Sequence, residues 1–211
     1  MKTALNIVFT VIIIVLAYFL IESIMQPIRF NREKDARELA IKERLIDIRT
    51  AQETFKAVKN HYTGSFDTLI TFLKNDSLPL VFKRGSLTDD MISSGITSEK
   101  EAVKKGLIFR DTTYIPVRDS VFTKGYPIDS LRFVPGMKGT EFHMASARVM
   151  TTSMVLVNVF EAYVLNDEFL KDLDRQLVVN YNDQRIKTTG FPGMKVGDIK
   201  IPNNNAGNWE D

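Results

Sequence analysis

His61, near the end of a long helical stretch, and His143, in a β-rich run, are the chain's two histidines, and no cysteine accompanies them. Neither histidine has a second ligand at a metal-holding spacing, so both read as surface or partly packed residues. Carboxylates are scattered as Asp89-Asp90, Asp119, Asp129, Glu161, Asp167-Glu168 and Asp172 with Asp174. A hydrolase working through two carboxylates depends on their distance in the fold, not on their spacing in the chain. Solvated faces and helix caps account for these acids more simply. The sequence contains no GxSxG, HExxH, GxGxxG or phosphate-loop pattern, and Gly190, Gly193 and Gly197 read as turn residues. The expectation is therefore no catalytic residue, no metal and no cofactor.

Whatever the chain does is organised around the stretch from Ala4 to Ile21, ALNIVFTVIIIVLAYFLI, interrupted only by Asn6 and Thr10. Extended through Glu22, Ser23, Ile24 and Met25, a helix here reaches roughly the 30 Å of a bilayer's hydrocarbon. A cleaved secretory signal shares the pattern of Lys2 followed by an apolar core. The residues after the run offer no small-x-small cleavage triplet, however, and the run exceeds the ~7–15 residues of a signal core. Without cysteine a lipoprotein-type anchor cannot form. Glu22 closes the apolar run, where it either snorkels into the headgroup layer or pairs with another subunit's span.

Charge narrows the partners. Lys plus Arg total 28 against 26 Asp plus Glu, a net +2, which lacks the concentrated positive charge of a nucleic-acid binder. Orientation is pulled two ways. Arg29, Arg32, Lys34, Arg37, Lys42 and Arg44 follow the span while only Lys2 and the amino group precede it, a bias that places the large C-terminal part in the cytoplasm. A short basic leader before an apolar core is also how an exporting signal anchor begins, and long domains translocate largely regardless of charge. The lack of cysteine is easier to explain on the oxidising, exported side.

After the span, Pro27 marks a break or kink. From Asn31, a plausible N-cap, the pattern predicts a second long helix to about Tyr62, with the apolar stripe Ile41, Leu45, Ile48, Ala51, Phe55, Val58 and Tyr62. Glu33 with Arg37 and Glu38 with Lys42 stand in the favourable i, i+4 order, worth ~0.3 kcal/mol each. Such a helix extends about 45 Å, more than a domain of this size covers. Its Phe55 end reads as packed on its own sheet. Residues 36–48, with Ile41, Leu45 and Ile48, read either the same way or as a seam with another helix.

Ser65 caps a short helix over 66–73, and 78–82 reads as extended. A loop holds Gly85 and Gly95, Thr97 or Ser98 opens a helix over 99–105, and Gly106 stops it. Residues 107–109, 113–117 and 130–134 are β-rich. Residues 141–150 and 154–164 form an antiparallel hairpin turned by Thr151-Thr152-Ser153. Asn166 caps a helix over 167–174, residues 176–181 stay ambiguous, 196–201 is a final strand, and 203–211 is a polar tail around Trp209. That lone tryptophan is expected to dock on its own domain or on a partner.

Residues 48–66, Ile-Arg-Thr-Ala-Gln-Glu-Thr-Phe-Lys-Ala-Val-Lys-Asn-His-Tyr-Thr-Gly-Ser-Phe, resemble the end of the long helix of type IV pilins and secretion pseudopilins, where an Ala-rich stretch meets Tyr-x-Gly-x-Tyr/Phe. Residues 18–22, Tyr-Phe-Leu-Ile-Glu, are similar to the pilin processing region, but there the apolar helix follows the glutamate, whereas here it precedes Glu22. The order of anchor, stalk and antiparallel sheet also resembles single-span envelope proteins of Gram-negative bacteria. Both resemblances imply an exported domain. The sequence thus leads to an α+β protein with a membrane anchor (1–26), an amphipathic stalk (27–62), a mainly antiparallel sheet domain with short helices (63–202) and a tail (203–211). Its expected place is the inner membrane with the domain in the periplasm, or alternatively the cytoplasm. The expected role is structural or assembly work by contact with other envelope proteins or with itself, through Glu22, Ile41, Leu45, Ile48 and Trp209. A cytoplasm-facing adaptor and a membrane-tethered hydrolase are the alternatives.

Overall fold

One helix, α1 (Lys2–Lys59), carries both the apolar run and the amphipathic stretch without interruption. The computed structural model describes residues 2–96 and 98–210, and side chains from Asn6 onward; the side chain of Ala4, the helix-opening candidate Thr97 and Asp211 lie outside them. Of the break or kink expected at Pro27, the break does not occur, because Pro27 lies inside α1. An interior proline forfeits a backbone bond and costs about 3 kcal/mol. Here a long apolar run precedes it, and domain packing begins just after it, at buried Phe30. From Asn6 the helix is long and apolar enough to cross a membrane, with a mean hydropathy of 2.7 and none of that window buried.

After α1 come α2 (Phe66–Asn75), β1 (Ser77–Arg84), α3 (Asp89–Ser93), α4 (Glu99–Lys104), β2 (Phe109–Pro116) and α5 (Val117–Val121). A 3-10 turn (Ile128–Arg132), β3 (His143–Met150), β4 (Leu156–Leu165), α6 (Asn166–Phe169), α7 (Arg175–Thr189) and β5 (Gly193–Gly197) complete the chain. The class is α+β with two small antiparallel sheets, a ribbon of β1 and β2 and a three-stranded sheet ordered β3-β4-β5.

The main core forms where α1 crosses the three-stranded sheet. Alternation puts Phe160, Ala162 and Val164 of β4 on one face with Met194 and Val196 of β5, all buried. Phe66, Leu69, Phe72 and Leu73 of α2, Val117 of α5 and Leu131 of the 3-10 turn belong to the same core. β5 can lie this close because Gly197 has φ +71° and a Cβ there would sit 2.2 Å from the Phe160 carbonyl oxygen.

Ile41, Leu45 and Ile48 are fully buried in this core. This corrects the expectation of a seam with another helix, since the stripe faces the chain's own domain. The domain covers α1 from Phe30 to Phe55, further than its size suggested. It does so because α6 and α7 return to the anchor end, where Gln26 donates to Asp174 at 2.8 Å and Arg37 makes two bonds to Asp172, at 2.6 and 2.7 Å. Arg37 and Glu38 therefore turn to other elements, Glu38 accepting from the Tyr181 hydroxyl, in place of the expected helix-face pairs.

Other elements shift. Residues 130–134, expected extended, lie mostly in the 3-10 turn, with Phe133 making only an isolated bridge to Glu141. Of residues 107–109 only Phe109 is extended, opening a β2 that runs on through Pro116 with Val117 already in α5, and the final strand falls earlier, at β5. The ambiguous stretch is α7, capped by the Asp174 side chain accepting from the Leu177 N–H and ended by left-handed Gly190.

Candidate interaction surface

Both histidines and several of the acids are held in separate contacts, and among the described residues the acids are not brought together in one cluster. His61 faces the edge of the Phe55 ring and bonds the Lys59 carbonyl. His143 lies 2.7 Å from Glu168, whose other oxygen accepts from the Leu165 N–H, and stacks on Tyr163. Asp129 pairs with Lys74, Asp167 with Arg175 and Asp172 with Arg37, each at 2.6 Å. The Arg37 guanidinium holds the Asp172 carboxyl below the ordinary carboxylate range. Among the described residues no three metal-ligating side chains gather.

Two other expected contact residues are also partnered. Glu22 meets Arg29 of the same helix at 3.1 Å, an exposed pair worth about 0–1 kcal/mol. Trp209 is partly buried against the main core, and its segment is strapped down. Gly207 bridges to Val196, the Asn208 N–H bonds the Lys195 carbonyl at 2.9 Å, and Glu210 meets Arg49 at 2.8 Å. The tail is thus docked on its own domain.

What the chain leaves uncovered is the β1–β2 ribbon. Its register runs from Ser77 opposite Pro116 to Arg84 opposite Phe109, and among the described residues no third strand pairs with either edge. Strand alternation places Leu80, Phe82 and Phe109 on one face, where they are 57%, 61% and 59% exposed. Tyr114 and Val81 are exposed on the other. An isolated two-stranded ribbon is marginal in water. This one is closed at its outer end by a second small core of Ile96, Ala102 and Ile108.

The ribbon leaves the domain at the C-terminal end of α1, where Asp76, one residue before β1, pairs with Lys59 at 2.7 Å. The β3–β4 hairpin reaches the same end, with Asn158 donating to the Asn60 carbonyl at 3.0 Å. Its tip exposes Met150, Met154, Val155 and Leu156. From Ile21 to Lys59 the helix rises about 57 Å, so the exposed apolar side chains of the ribbon and of the hairpin tip lie on elements that leave the domain at the end of α1 away from the membrane-length run, while Ile28, Leu39 and Ile186 are exposed singly elsewhere. Single exposed apolar residues are ordinary; contiguous ones mark contact sites. Hydrophobic spacing at 78–82 and 113–117 announced the strands but not their isolation.

Comparison with known protein families, curated proteins and solved structures returned no match.

Proposed function

We propose that this chain is a membrane-anchored docking component of a cell-envelope assembly, working by protein–protein contact and not by catalysis. The run from Asn6 onward is the inner-membrane span, and the domain built on the rest of α1 is held in the periplasm. The observation that carries the reading is the β1–β2 ribbon, whose Leu80, Phe82 and Phe109 stand in water on an unpaired two-stranded sheet about 57 Å along the helix from the end of the span. The anchor supplies attachment, the buried stripe of α1 sets the domain's position, and the ribbon presents the contact. The anchor, stalk and sheet order that resembles pilins supports the same reading.

Leu80→Asp with Phe82→Asp tests it. The account expects the wild-type chain, extracted from its own membranes in mild detergent, to run as a complex larger than one chain, and the double variant to run as the single chain with unchanged Trp209 emission. Equal sizes for the two would overturn it. The excess of Arg29, Arg32 and Lys34 after the span favours a second reading, a cytoplasm-facing adaptor using the same ribbon. Fusing export-dependent and cytoplasm-dependent reporters after the last residue separates the two.

A further inference from the structure

Resting on that docking reading, we infer that the ribbon's partner is an extended segment of another protein that adds as a third strand, alternating apolar and acidic side chains. The two faces of the ribbon call for this pattern. Leu80 and Phe82 stand in a row along β1 on one face, with Phe109 of β2 on the same face beside Asp111 and Arg84. On the other face Lys83 and Arg110 stand directly opposite each other, an arrangement of like charges that weakens a strand pair. They open onto a cleft of about 230 Å³ floored by Val103 and Ile108, with Lys100 and Lys104 of α4 on its rim. Those two lysines are i, i+4 neighbours, again like charges side by side.

Among the described residues Glu99 is the one acid lining this cleft, and its carboxylate is already bonded to Lys83, which holds its pKa below the ordinary value. Among the described residues Lys100, Lys104 and Arg110 make no ion pair, while neighbouring Lys105 pairs with Glu101. Cations outnumber the single Glu99 carboxylate on this face, and Leu80 and Phe82 of β1 stand on the other. A strand laid along the free edge of β1 alternates its side chains between the two faces, so apolar residues at every second position meet Leu80 and Phe82 while the acidic ones between them face the side that carries Arg110, Lys104 and Lys100. The cleft is smaller than the ~300–1,000 Å³ of small-molecule sites, which suits carboxylate side chains whose methylenes rest on Val103 and Ile108. A bilayer is the wrong occupant. The ribbon starts about 57 Å along α1 from the span and is about 26 Å long, too short to return to the membrane.

The test uses the full chain in zwitterionic nanodiscs and fluorescein-labelled octapeptides read by anisotropy. One alternates valine and glutamate, a second alternates valine and lysine, and a third carries the valines and glutamates in separate blocks. The alternating acidic peptide is expected to bind roughly tenfold more tightly than either comparison, and to lose roughly tenfold with Lys104→Glu/Arg110→Glu, weakening as salt rises. Lys187→Glu, on exposed α7, leaves binding unchanged, and Trp209 emission verifies each variant's fold. Equal affinity for the acidic and lysine peptides, or for the alternating and blocked ones, overturns the inference. So does displacement of the acidic peptide by phosphatidylglycerol vesicles, which would make lipid the occupant. If Leu80→Asp/Phe82→Asp dissolves the native complex while no peptide binds, strand addition fails and docking stands; if that variant leaves the complex intact, docking itself fails.

Discussion

Arg49, on the domain-covered part of α1, donates to both carboxylate oxygens of Glu210, at 2.8 and 3.0 Å. Burial raises the Glu210 carboxyl, but Arg49 and the Gly207 N–H outweigh it and hold the group below its ordinary value. Asp198 behaves alike, with burial opposed and overcome by Lys195 and by the N–H groups of Lys200 and Ile201. Carboxyls depressed in the folded state contribute stability that is complete above their unfolded pKa and is lost as pH falls through the depressed one. The emission of Trp209, the only tryptophan, should therefore hold steady from neutral pH down to about pH 5 and shift to the red below about pH 4. Glu210→Gln should show part of that shift already at neutral pH. Emission unchanged through the acid range would mean that these carboxylates do not hold the segment.

Ile48 is fully enclosed in the domain core, so an acidic substitution there reports on folding. Ile48→Asp should unfold the domain, because an unpaired charge would enter a fully enclosed site. Ile48→Ala should cost about 2–5 kcal/mol by denaturant titration. Gln52, also fully buried, donates to the Thr63 carbonyl at 2.6 Å and accepts from the Thr63 N–H at 3.2 Å, sealing the chain where it leaves α1. Gln52→Ala leaves both backbone groups unpaired and should cost about 2 kcal/mol or more. A soluble, cooperatively folding Ile48→Asp domain would contradict this packing.

The stripe from Ile41 to Phe55 was legible because spacings of three and four mark one helix face. What covers that face was not, since periodicity says that a surface is apolar and nothing about its partner. α7 shows the converse. Only Val178 is buried in its fifteen residues, so no stripe announced it, although Asp174 before it and Gly190 after it were start and stop signals in plain view. Residues 130–134 have strand-like composition, yet the Pro127 carbonyl accepts from the Ser130 N–H and the chain closes into a 3-10 turn, tertiary context overriding propensity. In the candidate surface, Leu80 and Phe82 were visible as part of an extended run. That run pairs with 109–116 across an intervening small core and not through a tight turn, so neither its partner nor its exposed face could be read from spacing. Lys83 and Arg110 come together only through that register.

The docking account is tested most directly by the accessibility of position 82, in a chain whose lack of native cysteine leaves a clean background for labelling. Phe82→Cys and, as a reference on α7, Lys187→Cys are each reacted with a bulky polyethylene-glycol maleimide, once in opened native membranes and once after purification in detergent. The account predicts equal rates at 187 in both settings and a rate at 82 roughly tenfold slower in the native membranes, the ratio set by how much of the surface is occupied there. Labelling at 82 as fast in native membranes as in the purified chain would contradict it.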